Sequence, residues 1–199
     1  MRYEDAFGSG NEIFSIGKLH LPTGTIAACD PFFCADAIPY TRSVPPGSYV
    51  VQLRIAQPEG WGARVALARI LFKAEAETVA IKQASSPAPW PSSFFVDSGL
   101  ASFMDETARA AFANVLAKFY LAHPKGNYFT DVLLSELRDQ AVASGFPGGS
   151  GRSCIHNLPR PGLNVAIFAS GLGDGAYESF WGLDKHGDAV FLVTDFKIL

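Results

Sequence analysis

The sequence predicts an α+β fold: a mainly antiparallel β-sheet, strongly twisted or sandwich-like, with two helices packed on it. Three observations lead there. Short β-branched runs succeed one another through the first eighty or so residues with no helical pattern between them. Between residues 105 and 143 the apolar period becomes that of helices. From residue 164 strand-like runs return, broken by Gly- and Asp-rich turns.

Residues 1–12 are polar and Gly-rich and read as a loose lead-in. Residues 13–21 form a strand, with Leu19 and Leu21 alternating against Lys18 and His20. Pro22-Thr23-Gly24 is a tight turn, and residues 25–30 return as a second strand, so a hairpin is expected. Pro39, Pro45 and Pro46 make residues 31–47 irregular. Residues 48–55 are a strand; residues 64–72 read as a strand or a short helix, with strand favoured by its neighbours; residues 78–82 continue the pattern, in antiparallel pairing. Residues 85–93 carry three prolines and read as a linker.

Residues 105–121 place Ala108, Ala111, Phe112, Val115, Phe119 and Tyr120 at helical spacing. Asp105 and Glu106 stand at the positive end of that helix, where the dipole favours them. A second helix is predicted over residues 130–143, with Thr130 as N-cap and Gly145 near its end. Residues 146–162 form a long Gly/Pro/Ser-rich loop before the final strands. The chain is expected to be one domain, residues 1–199, with a helical insertion at 103–145 between two β-rich parts.

Composition excludes several classes of protein. Hydrophobic residues make up 48% of the chain and charged residues 18%, enough to build a core without disulfides or metals. The net charge is −3 and no Lys/Arg cluster occurs, so neither nucleic acid nor an anionic membrane surface is an expected partner. No apolar h-region opens the chain and no run is long enough for a membrane span, which points to the cytoplasm. Three cysteines, Cys29, Cys34 and Cys154, lack zinc or disulfide-framework spacing and read as buried thiols.

Two motifs weaken on inspection. Gly171-Leu172-Gly173-Asp174-Gly175-Ala176 matches a dinucleotide fingerprint, but the residues after it are strand-like and too few for a nucleotide-binding half. It reads instead as a glycine-rich hairpin turn, opening a terminal antiparallel meander. Gly148-Gly149-Ser150-Gly151 resembles a nucleophile elbow, with Arg152 where the last glycine belongs. The four histidines, His20, His123, His156 and His186, lack zinc-face spacing and read as surface or capping residues. Tyr177, Phe180 and Trp181 read as core on a half-buried strand, with an exposed stripe as the other reading.

The carboxylates are the candidate chemistry. Asp30, Asp97, Asp105, Asp174, Asp184 and Asp195 stand at the ends of apolar strand-like runs, where Asp is otherwise depleted. Such residues make Asx turns and caps, or they converge on a site. If they converge, Asp30, Asp97 and Asp174 are the candidate ligands for a divalent cation, and a free carboxylate would take the proton from an activated water.

Five segments together resemble the bacterial family known as domain of unknown function 4241. They are LPTGTIAACDP (residues 21–31), VPPGSYVVQL (44–53), RVALARI (64–70), FFVDSGLASFMD (94–105) and DGAYESFWGLDKHGDAVFLVTDF (174–196). The set spans nearly the whole chain. Leu172 departs from the expected Ser-Gly-Trp-Gly-Asp-Gly pattern, which weakens an aromatic contact surface at that loop. The resemblance implies a soluble, stand-alone bacterial domain and brings no activity, cofactor or catalytic set. The first functional expectation is a cytoplasmic binding or protein-interaction domain of accessory or immunity type, whose partner is another protein. The second is a metal-assisted hydrolase using a subset of the six Asp residues. No cofactor is called for beyond that divalent cation, and the oligomeric state is left open.

Overall fold

The computed structural model describes residues 3–7, 12–87, 89, 92–143, 145 and 152–199. Its elements in chain order are α1 (Tyr3–Ala6), β1 (Ile13–Leu21), β2 (Ile26–Cys29), a 3-10 turn (Pro31–Asp36), β3 (Gly47–Ala56), β4 (Arg64–Leu71), β5 (Ala80–Gln83) and β6 (Ser93–Val96). Next come β7 (Leu100–Asp105), α2 (Glu106–Ala122), a wide π-type turn (Phe129–Leu133), α3 (Leu134–Ala143), β8 (Ser153–Asn157), β9 (Asn164–Ala169), β10 (Gly175–Leu183) and β11 (Ala189–Asp195). The fold is α+β, and its sheets are antiparallel throughout.

There are two sheets. The larger runs β1-β3-β4-β11-β10-β5, with β6 lying beside β10 as its seventh strand. The smaller runs β2-β7-β9-β8. Leu19, Leu21, Val51, Leu53, Ile70 and Leu192 of the larger sheet meet Phe103 and Phe168 of the smaller one in the main core. The far face of the smaller sheet, through Leu100, Met104, Val165 and Ile167, packs on Phe112, Leu116, Leu133 and Leu137 of the helical layer. The smaller sheet is therefore covered on both sides. That is why every residue of β7 is buried, with no polar alternation.

The expected hairpin of residues 13–30 does not form. Its two strands go to different sheets, β1 to β3 and β2 to β7. Pro22-Thr23-Gly24 is a corner between sheets. Gly24 has φ +73° there, and a Cβ on it would lie 1.8 Å from the Val44 carbonyl oxygen, so only glycine fits. The glycine-rich turn at residues 171–174 likewise joins β9 of one sheet to β10 of the other, so the expected terminal meander reduces to the β10–β11 hairpin. A turn motif reports that the chain reverses; it does not report which edge the next strand finds.

Several boundaries also move. Residues 3–6 form a helical turn and Phe7 is buried on the outer face of the larger sheet, so the lead-in is not wholly loose. Residues 103–105 end a strand rather than begin a helical insertion. Asp105 is the N-cap of α2. Ahead of α3 the capping group is the Asn127 carboxamide, which accepts from Phe129 N–H at 3.0 Å and Thr130 N–H at 3.4 Å, so Thr130 is not the cap. The predicted loop at 146–162 contains β8. The Gly148-Gly149-Ser150-Gly151 motif lies outside the described residues, as do parts of the lead-in, of the 85–93 linker and of that loop.

Candidate interaction groove

Each candidate carboxylate can be placed. Asp105 is fully buried (0% exposed) and accepts four hydrogen bonds. Two come from Thr23, by N–H at 3.0 Å and Oγ1–H at 2.8 Å. Two come from Thr107, by N–H at 2.9 Å and Oγ1–H at 2.6 Å. Asp30, 1% exposed, caps the 3-10 turn by accepting from Phe32 N–H at 2.9 Å. Its other oxygen takes the N–H groups of Asp97 and Ser98 at 3.0 and 2.8 Å. Asp174 accepts from Gly99 N–H at 3.0 Å. Asp30 and Asp174 thus hold three consecutive amides of the β6–β7 turn, while the Asp97 side chain is exposed.

The remaining two stand apart. Asp184 accepts from His186 N–H, Asp188 N–H and the Lys73 ammonium in the β10–β11 hairpin. Asp195 accepts from Lys197 N–H and from the Tyr3 hydroxyl. The structure therefore brings Asp30, Asp97 and Asp174 around one turn and leaves Asp105, Asp184 and Asp195 at three other places. Among the described residues no group of three or more His, Cys, Asp or Glu has an arrangement that could hold a metal ion.

His156 is neither a surface nor a capping residue. It is buried on β8, with Nδ1 2.7 Å from Glu136 and Nε2 3.1 Å from the Tyr128 hydroxyl. Burial, then the Glu136 charge, pushes the Tyr128 phenol up to about 12. Gln140 Oε1 accepts from Ile155 N–H at 2.9 Å beside it, so these polar groups fasten the helical layer to the edge strand β8. Tyr177 and Trp181 are core, and Phe180 packs partly buried on the outer face of the larger sheet. Leu172, in the departing motif, is 54% exposed.

The site that the geometry does assemble is an apolar groove of about 370 Å³. It opens where the edge strands β2 and β6 of the two sheets diverge. Ala28 and Tyr40 line its inner part, residues 33–38 form one wall, and Phe94 and Phe95 form the other. Phe33 is 54% exposed and Phe95 68%. Among the described residues Asp36 is the one charged side chain lining it.

Both walls are fixed from beneath. Asp30 caps the start of the 3-10 turn, as above. Arg109 closes its end by donating to the Cys34 and Ala35 carbonyls at 3.0 and 2.8 Å, while Glu106 holds the guanidinium through two bonds of 2.7 Å. Burial pushes the Cys34 thiol up to about 11, so at neutral pH it is a protonated, inert part of this wall. The Tyr40 hydroxyl donates to Ser179 Oγ at 2.9 Å, and Ser86 Oγ donates to the Ile38 carbonyl at 3.3 Å. On the opposite wall, β6 pairs with β10 on one side, and among the described residues no strand pairs with its other edge.

Sequence reasoning misses this site, although a signal exists. Phe32-Phe33 and Phe94-Phe95 are adjacent pairs; neighbours on a strand such as β6 point to opposite faces, and successive side chains of a 3-10 turn stand about a third of a turn apart. Phe94 packs toward Tyr177, with ring centroids 6.3 Å apart, and Phe32 toward Phe129 at 6.4 Å. The second member of each pair is left facing outward.

Fold and groove together define an α+β domain of two antiparallel sheets and a helical layer, with an apolar groove beside the edge strands β2 and β6. The family model described as Protein of unknown function (DUF4241) matches residues 19–194, and the chain belongs to that family. No curated protein and no solved structure matches it. Among the described residues no helix is long and apolar enough to cross a membrane.

Proposed function

We propose that this chain is a protein-interaction domain that receives an extended segment of a partner protein along the free edge of β6. The carrying observation is the conjunction of that edge with the groove. Exposed edge strands are usually blunted by charge, proline or a covering element, because their free N–H and C=O groups pair with other chains. Ser93-Phe94-Phe95-Val96 has no charge or proline, and Phe95 stands exposed beside an apolar hollow. Strand addition supplies main-chain hydrogen bonds, and the hollow supplies side-chain selectivity. Burying one Phe side chain is worth about 1.5–3 kcal/mol. The rigid walls reduce the ordering cost of binding. The setting we infer is the bacterial cytoplasm, in an accessory or immunity-type role.

The test is selection of a random dodecapeptide library on the protein, with Phe95→Asp as the counter-selected control. Enriched peptides should bind the parent and lose about tenfold or more on Phe95→Asp, the size expected for one buried aromatic contact. The variant should still melt cooperatively, because Phe95 is exposed. Equal enrichment on both proteins, or none on either, overturns the proposal.

A further inference from the structure

The glycine-rich turn at residues 171–174 borders a second hollow, of about 220 Å³, that strand addition at β6 does not use. Both sheets contribute to it. Arg64 and Val65 begin β4, Ala169 ends β9 and Arg152 directly precedes β8, while the turn closes the hollow through its Gly171–Gly173 backbone. Two arginines from distant parts of the chain therefore line one small space. Among the described residues no carboxylate lines it, and neither guanidinium forms an ion pair.

Both cations are placed but not neutralised. Arg64 is half-buried and donates from one nitrogen to the Ala63 carbonyl at 2.9 Å. The Arg152 guanidinium lies 5.6 Å from the Phe129 ring centroid and has no side-chain hydrogen bond among the described residues. Each guanidinium carries five N–H donors, so most of them are free for a ligand. The turn adds neutral donors. Gly173 N–H closes it onto the Ser170 carbonyl at 2.8 Å, and the Tyr177 hydroxyl is shared between the Ser170 and Gly173 carbonyls at 3.1 and 2.7 Å. The Gly171 and Leu172 amides have no partner among the described residues. Gly171 has φ +59°, and a Cβ there would lie 2.8 Å from the Phe196 Cβ, so the turn is seated tightly on the core. Asp174, the carboxylate of the turn, accepts from Gly99 N–H at 3.0 Å and does not line the hollow.

We infer that this hollow binds the phosphoryl group of a small phosphate monoester, between Arg64, Arg152 and the amides of the turn. Charge decides for phosphoryl over carboxylate. A phosphate monoester carries about −1.5 to −2 charges at neutral pH on three acceptor oxygens, which two guanidinia match. A carboxylate carries one negative charge, which a single bidentate fork satisfies. The rest of the lining decides for an ester over free phosphate, because Val65, Ala169 and the exposed Leu172 offer apolar cover to a carbon group. The ligand is small, since the volume falls below the usual range of about 300–1,000 Å³ for larger organic ligands. This is not the dinucleotide arrangement, because the strand β10 and not a helix follows the turn.

Calorimetric titration with phenyl phosphate at fixed ionic strength tests the inference, with inorganic phosphate and benzoate as comparison ligands. Phenyl phosphate should bind the parent protein and bind Arg152→Gln and Arg64→Gln about tenfold or more weakly, the size expected for losing charge-assisted hydrogen bonds. Arg152→Lys should recover only part of that loss, because an ammonium keeps the charge without the planar fork. Lys185→Gln removes the same charge from an exposed position at the far end of β10 and should bind as the parent does. Inorganic phosphate and benzoate should both bind more weakly than phenyl phosphate. The site fails if about 10 mM phenyl phosphate gives neither heat nor a rise in melting temperature. It also fails if the Arg64→Gln/Arg152→Gln double variant binds as tightly as the parent, or if Lys185→Gln weakens binding as much as Arg152→Gln. Benzoate binding as tightly as phenyl phosphate overturns the phosphoryl assignment, and inorganic phosphate doing so overturns the ester. Arg152 is exposed, so Arg152→Gln carries the test even where Arg64→Gln lowers stability.

Discussion

Asp105 and Asp184 look alike in the sequence, each ending an apolar run and each beginning a turn or cap, and the molecule uses them in opposite ways. Asp184 is bonded to its own hairpin, through His186 and Asp188, and to the Lys73 ammonium at 2.8 Å. Asp105 is buried and joins α2 to a corner 82 residues earlier in the chain, through Thr23. Glu106 N–H adds a bond to the Thr25 carbonyl at the same junction. Asp30 is of the Asp105 kind, since it reaches 67 and 68 residues forward to the β6–β7 turn. A carboxylate bonded within its own turn shapes that turn. One that is buried against distant amides determines where two sheets meet, and removing it leaves donors without water or partner.

That contrast predicts a graded series. Asp105→Ala should show the largest effect. It loses a helix cap and strands the Thr23 and Thr107 donors, a destabilisation of about 4 kcal/mol in denaturant unfolding. A double-mutant cycle with Thr23→Ala should show coupling of about 1 kcal/mol or more, and strict additivity would remove the claim that Asp105 ties the corner. Asp30→Ala should come next at about 3 kcal/mol, since three amides lose their acceptor. It should also weaken the dodecapeptides that require Phe95, because Asp30 fixes one groove wall and positions the turn after β6. Undiminished peptide binding by folded Asp30→Ala would separate the two roles.

Asp184 should give the smallest effect, visible mainly in acid. The Lys73 ammonium first, and then the Asp188 and His186 amides, hold its carboxyl down at about 2. An unfolded Asp titrates near 3.9 or so. Its folded pKa is depressed, so its contribution is complete above about pH 4 and is lost as pH falls through about 2. Asp184→Asn should remove that part of the acid limb and leave stability near pH 7 little changed. A loss at pH 7 as large as that of Asp105→Ala would erase the distinction.

The legible and illegible parts of the fold divide along the same line. Glu106 after Asp105 announces a helix start, because capping and dipole effects act within one turn. The β-branched runs at 48–55 and 64–72 announce β3 and β4. Thr130 looks like a cap in sequence, but Asn127, three residues earlier, offers a carboxamide to the same amides. The hairpin expected at residues 13–30 fails because Leu19, Leu21 and Ile26 are all inward-facing in the shared core, whichever sheet owns them. His156 looks like a surface residue because its partners, Glu136 and Tyr128, come from the helical segment 20 and 28 residues away. The groove is half-legible: strand alternation turns one ring of Phe94-Phe95 outward, but only the tertiary structure puts Phe33 and Phe95 across one hollow.

By itself, then, the sequence determined the α+β class, most of the strands, the two long helices and the first cap, because each depends on periodicity, composition or contacts within a turn. The tertiary structure alone decided which sheet each strand joins, which carboxylates are buried ties and which are turn residues, and which residues line the groove. Backbone hydrogen bonding is nearly the same at every edge. A strand's side chains report which face is apolar and not which neighbour it will take, so that choice waits for the packing of the whole chain.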